Sequence, residues 1–211
     1  MNSAKENILG RLKAVQNRRG KIEVETPDFA SSVYHPLNPS LSLEFKNNLE
    51  AIGGWVFLCK SKSEIVGQIK QICSEKGVDN VFCTDPELKK LLTDQVTIKS
   101  DDDSFLNISV GITGCEFLVA HLGSVLVSSA QISGRRLNVY PETHIVVANT
   151  SQLTDYLDQA LEKMRNKYKN ELPSLISNIT GPSRTADIEK TLVMGMHGPK
   201  SLIVIIEEEP L

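Results

Sequence analysis

The chain has 211 residues, enough for one ordinary domain or for one α/β domain with a terminal extension. Hydrophobic residues make up 40% and charged residues 23%, which permits a packed core and excludes wholesale disorder. Twenty-three Lys and Arg against 26 Asp and Glu leave a formal charge of −3, without the basic excess that a phosphate backbone requires, so no nucleic-acid partner is expected. The five consecutive aliphatics of Leu202–Ile206 fall far short of the roughly 20 apolar residues of a membrane span. The first turns are polar and charged, with no apolar leader core, and a cytoplasmic protein is expected.

In chain order, Ser3-Ala-Lys-Glu6 has the spacing of a capping box and opens a helix with Ile8, Leu12 and Val15 on one face. Residues 21–40 carry three prolines and no period. Residues 1–40 are therefore expected as an N-terminal helix and extended loop, and residues 41–211 as a single α/β domain. Leu41, Phe45, Leu49 and Ile52 form a helical stripe, and Gly53-Gly54 supply its left-handed exit. Trp55–Cys59 reads as a buried strand. Ser61–Glu64 is a second capping box, before a helix with Ile65, Ile69, Ile72 and Cys73 inward. Asn80–Cys83 is a strand, and Asp85-Pro86 starts a short helix. Strand and helix alternate, which predicts a largely parallel sheet flanked by helices.

Phe117–Ala120 and Ser124–Val127 are strand-like runs joined by His121-Leu-Gly123, an antiparallel hairpin expected inside or alongside that sheet. His144–Ala148 is an apolar strand. A helix is expected from Ser151 to about Lys167 on the stripe of Leu153, Tyr156, Leu157, Ala160, Leu161 and Met164. Leu175–Ile179 reads as a strand, Asp187–Met194 as a helix and Leu202–Ile206 as the last strand. Cys59, Cys73, Cys83 and Cys115 lie at least ten residues apart, so they read as small buried hydrophobes. No metal site is expected, and the acidic runs Asp101–Asp103 and Glu207–Glu209 read as solvated.

Two stretches have the residue types of a ligand site. In Thr180-Gly-Pro-Ser-Arg-Thr-Ala-Asp-Ile-Glu189 a glycine frees the backbone to turn. Ser183, Arg184 and Thr185 would then stand at a helix N-terminus, where free amides and a guanidinium fork attract an anion. Asp187 follows in the first turn. The alternative is a well-capped helix with Arg184 paired to a local acid. In Gly111-Ile-Thr-Gly114 through His121-Leu-Gly-Ser124, glycines and hydroxyls at a strand crossing admit close approach of a ligand to Thr113, Gly114, Gly123 and Ser124. There His121 is able to exchange a proton near neutral pH. The alternative is that the glycines only shape the hairpin. His197, in Met196-His-Gly-Pro199, follows the expected last helix and would meet its negative end. Ser133-Gly-Arg-Arg136 is a compact basic loop, solvated or docking an anion.

Taken together, Gly111–Ser129, His144–Val147, Gly181-Pro-Ser-Arg-Thr-Ala-Asp-Ile-Glu189 and Gly195-Met-His-Gly-Pro199 resemble, in order and spacing, the LUD-domain family, and within it the lactate-utilisation protein C group. The resemblance is strongest over residues 105–206. It implies a fold of the sugar-phosphate isomerase and CoA-transferase class, an α/β arrangement with a mixed sheet. It also implies a part in the oxidation of L-lactate to pyruvate beside iron–sulfur partner proteins. No cofactor is then expected in this chain, since the clusters would belong to the partners. Where the family usually shows Ala-Glu-Thr-Gly-Thr, this chain has Ala120-His-Leu-Gly-Ser124, and Glu116 stands where the family often has Asp.

Three hypotheses follow. The first is an accessory component of lactate oxidation, binding a small anion between the Ser183–Thr185 loop and the hairpin. The sequence leaves open whether the chain is a monomer or a homo-oligomer. The second is a stand-alone isomerase or CoA-transferase using a carboxylate, with Glu116 the first candidate and His121 the next. The third is a scaffold whose loops only cap helices.

Overall fold

The computed structural model describes residues 3–18, 34, 36–37, 40–101, 108–169, 171–185 and 193–208. The chain forms two units, Met1–Pro36 and Leu37–Leu211. In the first, α1 spans Ala4–Arg18. Its capping box is closed in both directions: Glu6 N donates to Ser3 Oγ (3.3 Å) and Ser3 N to Glu6 Oε2 (2.8 Å).

The second unit is built on a six-stranded sheet in the order β1-β12-β7-β4-β2-β3. Its strands are Trp55–Cys59 (β1), Asn80–Phe82 (β2), Thr97–Lys99 (β3), Val110–Thr113 (β4), Thr143–Asn149 (β7) and Ser201–Glu207 (β12). Every pairing in it is parallel. That explains why the central strands read as unbroken apolar runs, because both faces are covered. One face carries α3 (Lys62–Glu75) and α4 (Pro86–Leu92), with Ile65, Ile69, Ile72 and Leu92 packed among Ile112, Ile145, Ile203 and Ile205.

The other face meets a second sheet. It has four strands in the order β8-β5-β6-β9, namely Leu153–Thr154 (β8), Phe117–Val119 (β5), Ser124–Ser128 (β6) and Ile176–Ile179 (β9). β5, β6 and β9 run antiparallel, and β8 joins β5 in parallel. The hairpin therefore does not extend the parallel sheet. Leu118, Val125 and Val127 pack against Val146, Val204 and Ile206 of the larger sheet, with Phe45 and Leu49 of α2 (Leu41–Ala51) among them. Burying that inner face is what detaches the hairpin from the parallel strands. Its outer face, Val119 and Leu126, is covered by Ala160 and Met164 of α5 (Leu157–Lys167).

Helix α2 ends as its glycines require, with Gly53 at φ 84° and Gly54 N donating to Leu49 O at 3.0 Å. Lys46 and Glu50 of α2 cover the edge strand: Lys46 Nζ donates to Val56 O (3.0 Å) and Val56 N to Glu50 Oε1 (3.4 Å). All four cysteines are buried and free, and burial raises each thiol's pKa.

Two expected helices differ. The one expected from Ser151 begins at Leu157. Before it, Asn149 and Gln152 close a short 3-10 turn with a capping box, and Leu153–Thr154 pair with β5 instead. The helix expected over 187–194 ends in a strand: Val193–Met194 (β11) pairs antiparallel with Arg184–Thr185 (β10), and residues 186–192 lie outside the described ones. Gly195, at φ 79°, donates to Ser183 O (3.0 Å) and closes this ribbon rather than capping a helix. Among the described residues, no helix is long and apolar enough to cross a membrane.

Candidate functional site

Around the hairpin, Thr113, Gly123 and Ser124 are packed solid. Thr113, on β4, is fully buried, and its Oγ1 lies 2.8 Å from His144 Nε2 on the neighbouring strand β7. Burial pushes the His144 imidazole down to about 4, so it is neutral at physiological pH. Ser124 is fully buried as well. Gly123 has φ 57°, and a Cβ there would stand 2.2 Å from Leu49 N, so this glycine admits helix α2 rather than a ligand. Asn48 of α2 fastens the contact, its Nδ2 donating to Ala120 O at 2.9 Å. Gly114 has nothing nearer than Val147 O, 3.9 Å from an added Cβ. His121 is exposed, its ring tilted against Tyr156 with centroids 5.1 Å apart.

Glu116 is sealed at 2% exposure beneath the end of α5. Its Oε1 accepts from Ser128 Oγ (2.5 Å) and Tyr168 Oη (2.8 Å), and its Oε2 from Lys167 Nζ (2.6 Å). Burial opposes ionisation most strongly, but the three donors and the Lys167 charge together outweigh it and hold the carboxyl below its ordinary pKa. A carboxylate so saturated with donors is a poor base and a poor nucleophile. The arrangement ties α5 to β6.

The remaining motif residues do gather at a hollow. A cavity of about 220 Å³ opens between the inner face of β6 and β9 and two loops, and Gly181, Ser183 and His197 stand in its wall. Ser183 is held by both loops, its N donating to Pro199 O (2.8 Å) and its O accepting from Gly195 N (3.0 Å). Gly198 packs on it, a Cβ there falling 3.2 Å from Ser183 Cβ. Val127, Ile179 and Pro199 give the wall an apolar side. Arg135 supplies the cation, one of its five N–H donors going to Ser174 Oγ (2.5 Å). Among the described residues of the wall, Arg135 and His197 carry the ionisable groups, and no carboxylate balances them.

Against this geometry the comparisons with known proteins are clear. The LUD domain family model matches residues 43–206. The chain belongs to the LUD domain family. The lactate utilization protein C of Bacillus subtilis is 37% identical to this LUD chain over 103 residues, 47% of the chain and 43% of the relative. Lactate utilization protein C 1 of Bacillus mycoides is 31% identical over 53% of the chain and 49% of the relative. The matched stretch thus spans about half the length of these curated relatives. An uncharacterized protein of Neisseria meningitidis matches 96% of the chain and 93% of its own length at 24% identity. A crystal structure of a DUF162 family protein from Deinococcus radiodurans superposes with a TM-score of 0.62 over 82% of the chain and 99% of that protein. At 19% identity it shows a shared fold, the α/β arrangement with a mostly parallel sheet.

Within this LUD domain, Arg184 does not face the cavity. It is exposed on β10, and its Nη2 donates to Ile52 O at the end of α2. It stands in a strand paired with Met194 rather than at a helix N-terminus, and its guanidinium serves the carbonyl end of α2. Thr185 pairs with Val193 in the ribbon, and Asp187 lies outside the described residues. The residues missed from the sequence are Asn138 and Ser177, both in the wall, while Arg135 was visible only as part of a basic loop. The cavity lies towards the amino ends of the parallel strands, beside the loop that follows β9 of the second sheet. Asn138 and His197 precede β7 and β12 in the chain. A larger hollow of about 560 Å³ does stand at the carboxyl ends of β7 and β12. There Lys62 and Lys90 share the wall with Glu87 and Glu207, so its charges offset.

Proposed function

We propose that this LUD domain is an accessory component of L-lactate utilisation, working beside iron–sulfur partner proteins in the oxidation of L-lactate to pyruvate, and that it holds a small carboxylate in the cavity between β6, β9 and the 181–183 and 197–199 loops. The relatives' names support the pathway. The observation that carries the ligand is the convergence of Arg135, His197 and Ser183 on one hollow whose wall has no acid among the described residues. A guanidinium fork matches a carboxylate in plane and charge. A hollow of about 220 Å³ has room for a small organic acid. The stand-alone isomerase or transferase reading finds no support at Glu116, whose oxygens are occupied by three side chains.

Two measurements test the proposal. Titration calorimetry of the full chain with L-lactate should give saturable heat that Arg135→Ala weakens at least tenfold. Expression of the chain in a Bacillus strain lacking its own lactate utilization protein C should restore growth on L-lactate. A strain that stays unable to grow removes the pathway role, and silent titrations with every small carboxylate remove the ligand.

A further inference from the structure

We infer that the larger hollow, at the carboxyl ends of β7 and β12, is a binding site for a purine nucleoside monophosphate. This stands apart from the carboxylate reading and from the cavity beside Arg135. The sheet itself singles out the place. The two neighbours of β12 send the chain to opposite faces: β1 leads into α3 on one face, and β7 leads into β8 of the second sheet on the other. Connections that part in this way leave a crevice outside the carboxyl ends of the strands, where open parallel sheets receive their ligands. The hollow of about 560 Å³ fills that position, with Asn149 of β7, Glu207 of β12 and Lys62 of α3 in its wall.

The chemistry of the occupant follows from the groups the wall leaves free. Lys62, Lys90, Glu87 and Glu207 carry its charges, and among the described residues none of these side chains forms an ion pair or a hydrogen bond. Their charges sum to zero, so a bare anion gains from two ammoniums and loses to two carboxylates. An occupant with an anionic end and proton donors elsewhere uses all four. A phosphate takes the ammoniums of Lys62 and Lys90. Glu207, at the end of a parallel strand, accepts from a ribose diol, as acids beside such strands do in dinucleotide-binding sheets. Ile65 of α3 with Leu88 and Leu91 of α4 gives an apolar surface for a flat base, and Glu87, next to Leu88, accepts from the base's amino group or ring N–H. A sugar phosphate would leave that apolar side and Glu87 unused.

The test is titration calorimetry of the full chain with AMP and GMP, their 2′-deoxy forms, the two free nucleosides and ribose 5-phosphate. The tighter of AMP and GMP should bind saturably, at least about tenfold more tightly than its deoxy form, its nucleoside or ribose 5-phosphate. Glu207→Ala should bring that nucleotide down to the level of its deoxy form. Lys62→Ala combined with Lys90→Ala should bring it down to the level of the nucleoside. Both lysines are exposed, so this double variant keeps the fold. Nucleotide binding that the lysine pair does not alter lies outside this hollow and overturns the inference. Ribose 5-phosphate binding as tightly as the nucleotides, or silence toward every probe, overturns it as well. None of these outcomes bears on the carboxylate cavity, which the L-lactate titration tests separately.

Discussion

At the hairpin tip, a Cβ on Gly123 would stand 2.2 Å from Leu49 N; at the far end of the same sheet, a Cβ on Gly198 meets Ser183 Cβ at 3.2 Å, and a hollow of about 220 Å³ lies beside it. Both regions bring together glycines, hydroxyls and a histidine. In the first, the space that the glycine frees is filled by the backbone of another element, and the polar groups are buried by the meeting of two sheets. In the second, two loops cross without filling the angle between them, and the polar groups face the gap. Glycine beside hydroxyl therefore marks close approach of backbone, and only the packing partner decides whether a helix or a ligand makes that approach.

The sharpest way to break this comparison is to add one carbon to each region. Gly123→Ala forces a left-handed residue and a clash with helix backbone that cannot swing aside, so a loss of about 3–5 kcal/mol in unfolding free energy is expected. Gly198→Ala asks only a few tenths of an ångström of Ser183, and should cost under about 1 kcal/mol while narrowing the cavity. Urea denaturation of both variants checks the contrast. Near-equal stabilities would mean that α2 does not rest on the hairpin.

The next effect belongs to the histidine buried beside the hairpin, His144. His144 is neutral in the fold at about 4 against an ordinary 6.5. Above about pH 6.5 neither the folded nor the unfolded chain protonates it, and its burial then carries no proton penalty. As pH falls from there towards 4, the unfolded chain takes up the proton and the folded chain does not, so about 3 kcal/mol of stability is lost. Replacing both members of the pair, His144→Leu with Thr113→Val, should flatten that part of the urea-midpoint profile. An unaltered slope in the double variant would place the proton uptake elsewhere.

A smaller loss is expected at Glu116. Removing its charge with Glu116→Gln leaves Lys167 without its partner, and the cost is about 2 kcal/mol once the half-exposed ammonium is allowed for. Because the folded carboxyl sits below its ordinary 4.5, this contribution is complete above that pH and fades as pH falls beneath it. The stability gap between wild type and variant should therefore close in acid. A gap that is constant from pH 7 to pH 3 would show that the charge is not what the cluster uses.

Much of this fold is legible in the sequence. The stripe of Phe45 and Leu49, the box at Ser3, the N-cap at Ser61 (where Glu64 reaches Lys60 N instead of closing the expected box) and the runs through Ile145 and Val204 each depend on local spacing, and local spacing is what a helix or a doubly covered strand requires. The second sheet was not legible as a separate layer. Its strands are short, and a two-residue strand such as Leu153–Thr154 is indistinguishable from the first turn of the helical stripe that follows it. The site was half legible. Gly181, Ser183 and His197 are near one another because of a motif, whereas Arg135 and Asn138 come from a loop that no spacing connects to it. Only the tertiary crossing of β6 and β9 with that loop brings them to one wall.

The two arginines give the finest discrimination. Each lies next to a glycine turn, yet Arg184 reaches a helix carbonyl and Arg135 a cavity. Arg184→Ala removes a cation from the negative end of α2, where an exposed group contributes at most about 1 kcal/mol, and should leave carboxylate affinity within twofold of wild type. Arg135→Ala should do the reverse, moving the urea midpoint little and weakening L-lactate binding at least tenfold. Thermal melts with and without L-lactate read both at once, because a ligand that binds only the folded state stabilises it by RT ln(1 + L/Kd), where L is the free ligand concentration, and so raises the midpoint. The Arg184 variant should melt slightly lower and keep the whole ligand-induced rise, and the Arg135 variant should melt near wild type and lose that rise. If the rise disappears with Arg184 instead, the guanidinium that receives the carboxylate is the one on the ribbon, and the hollow beside Arg135 is not the site.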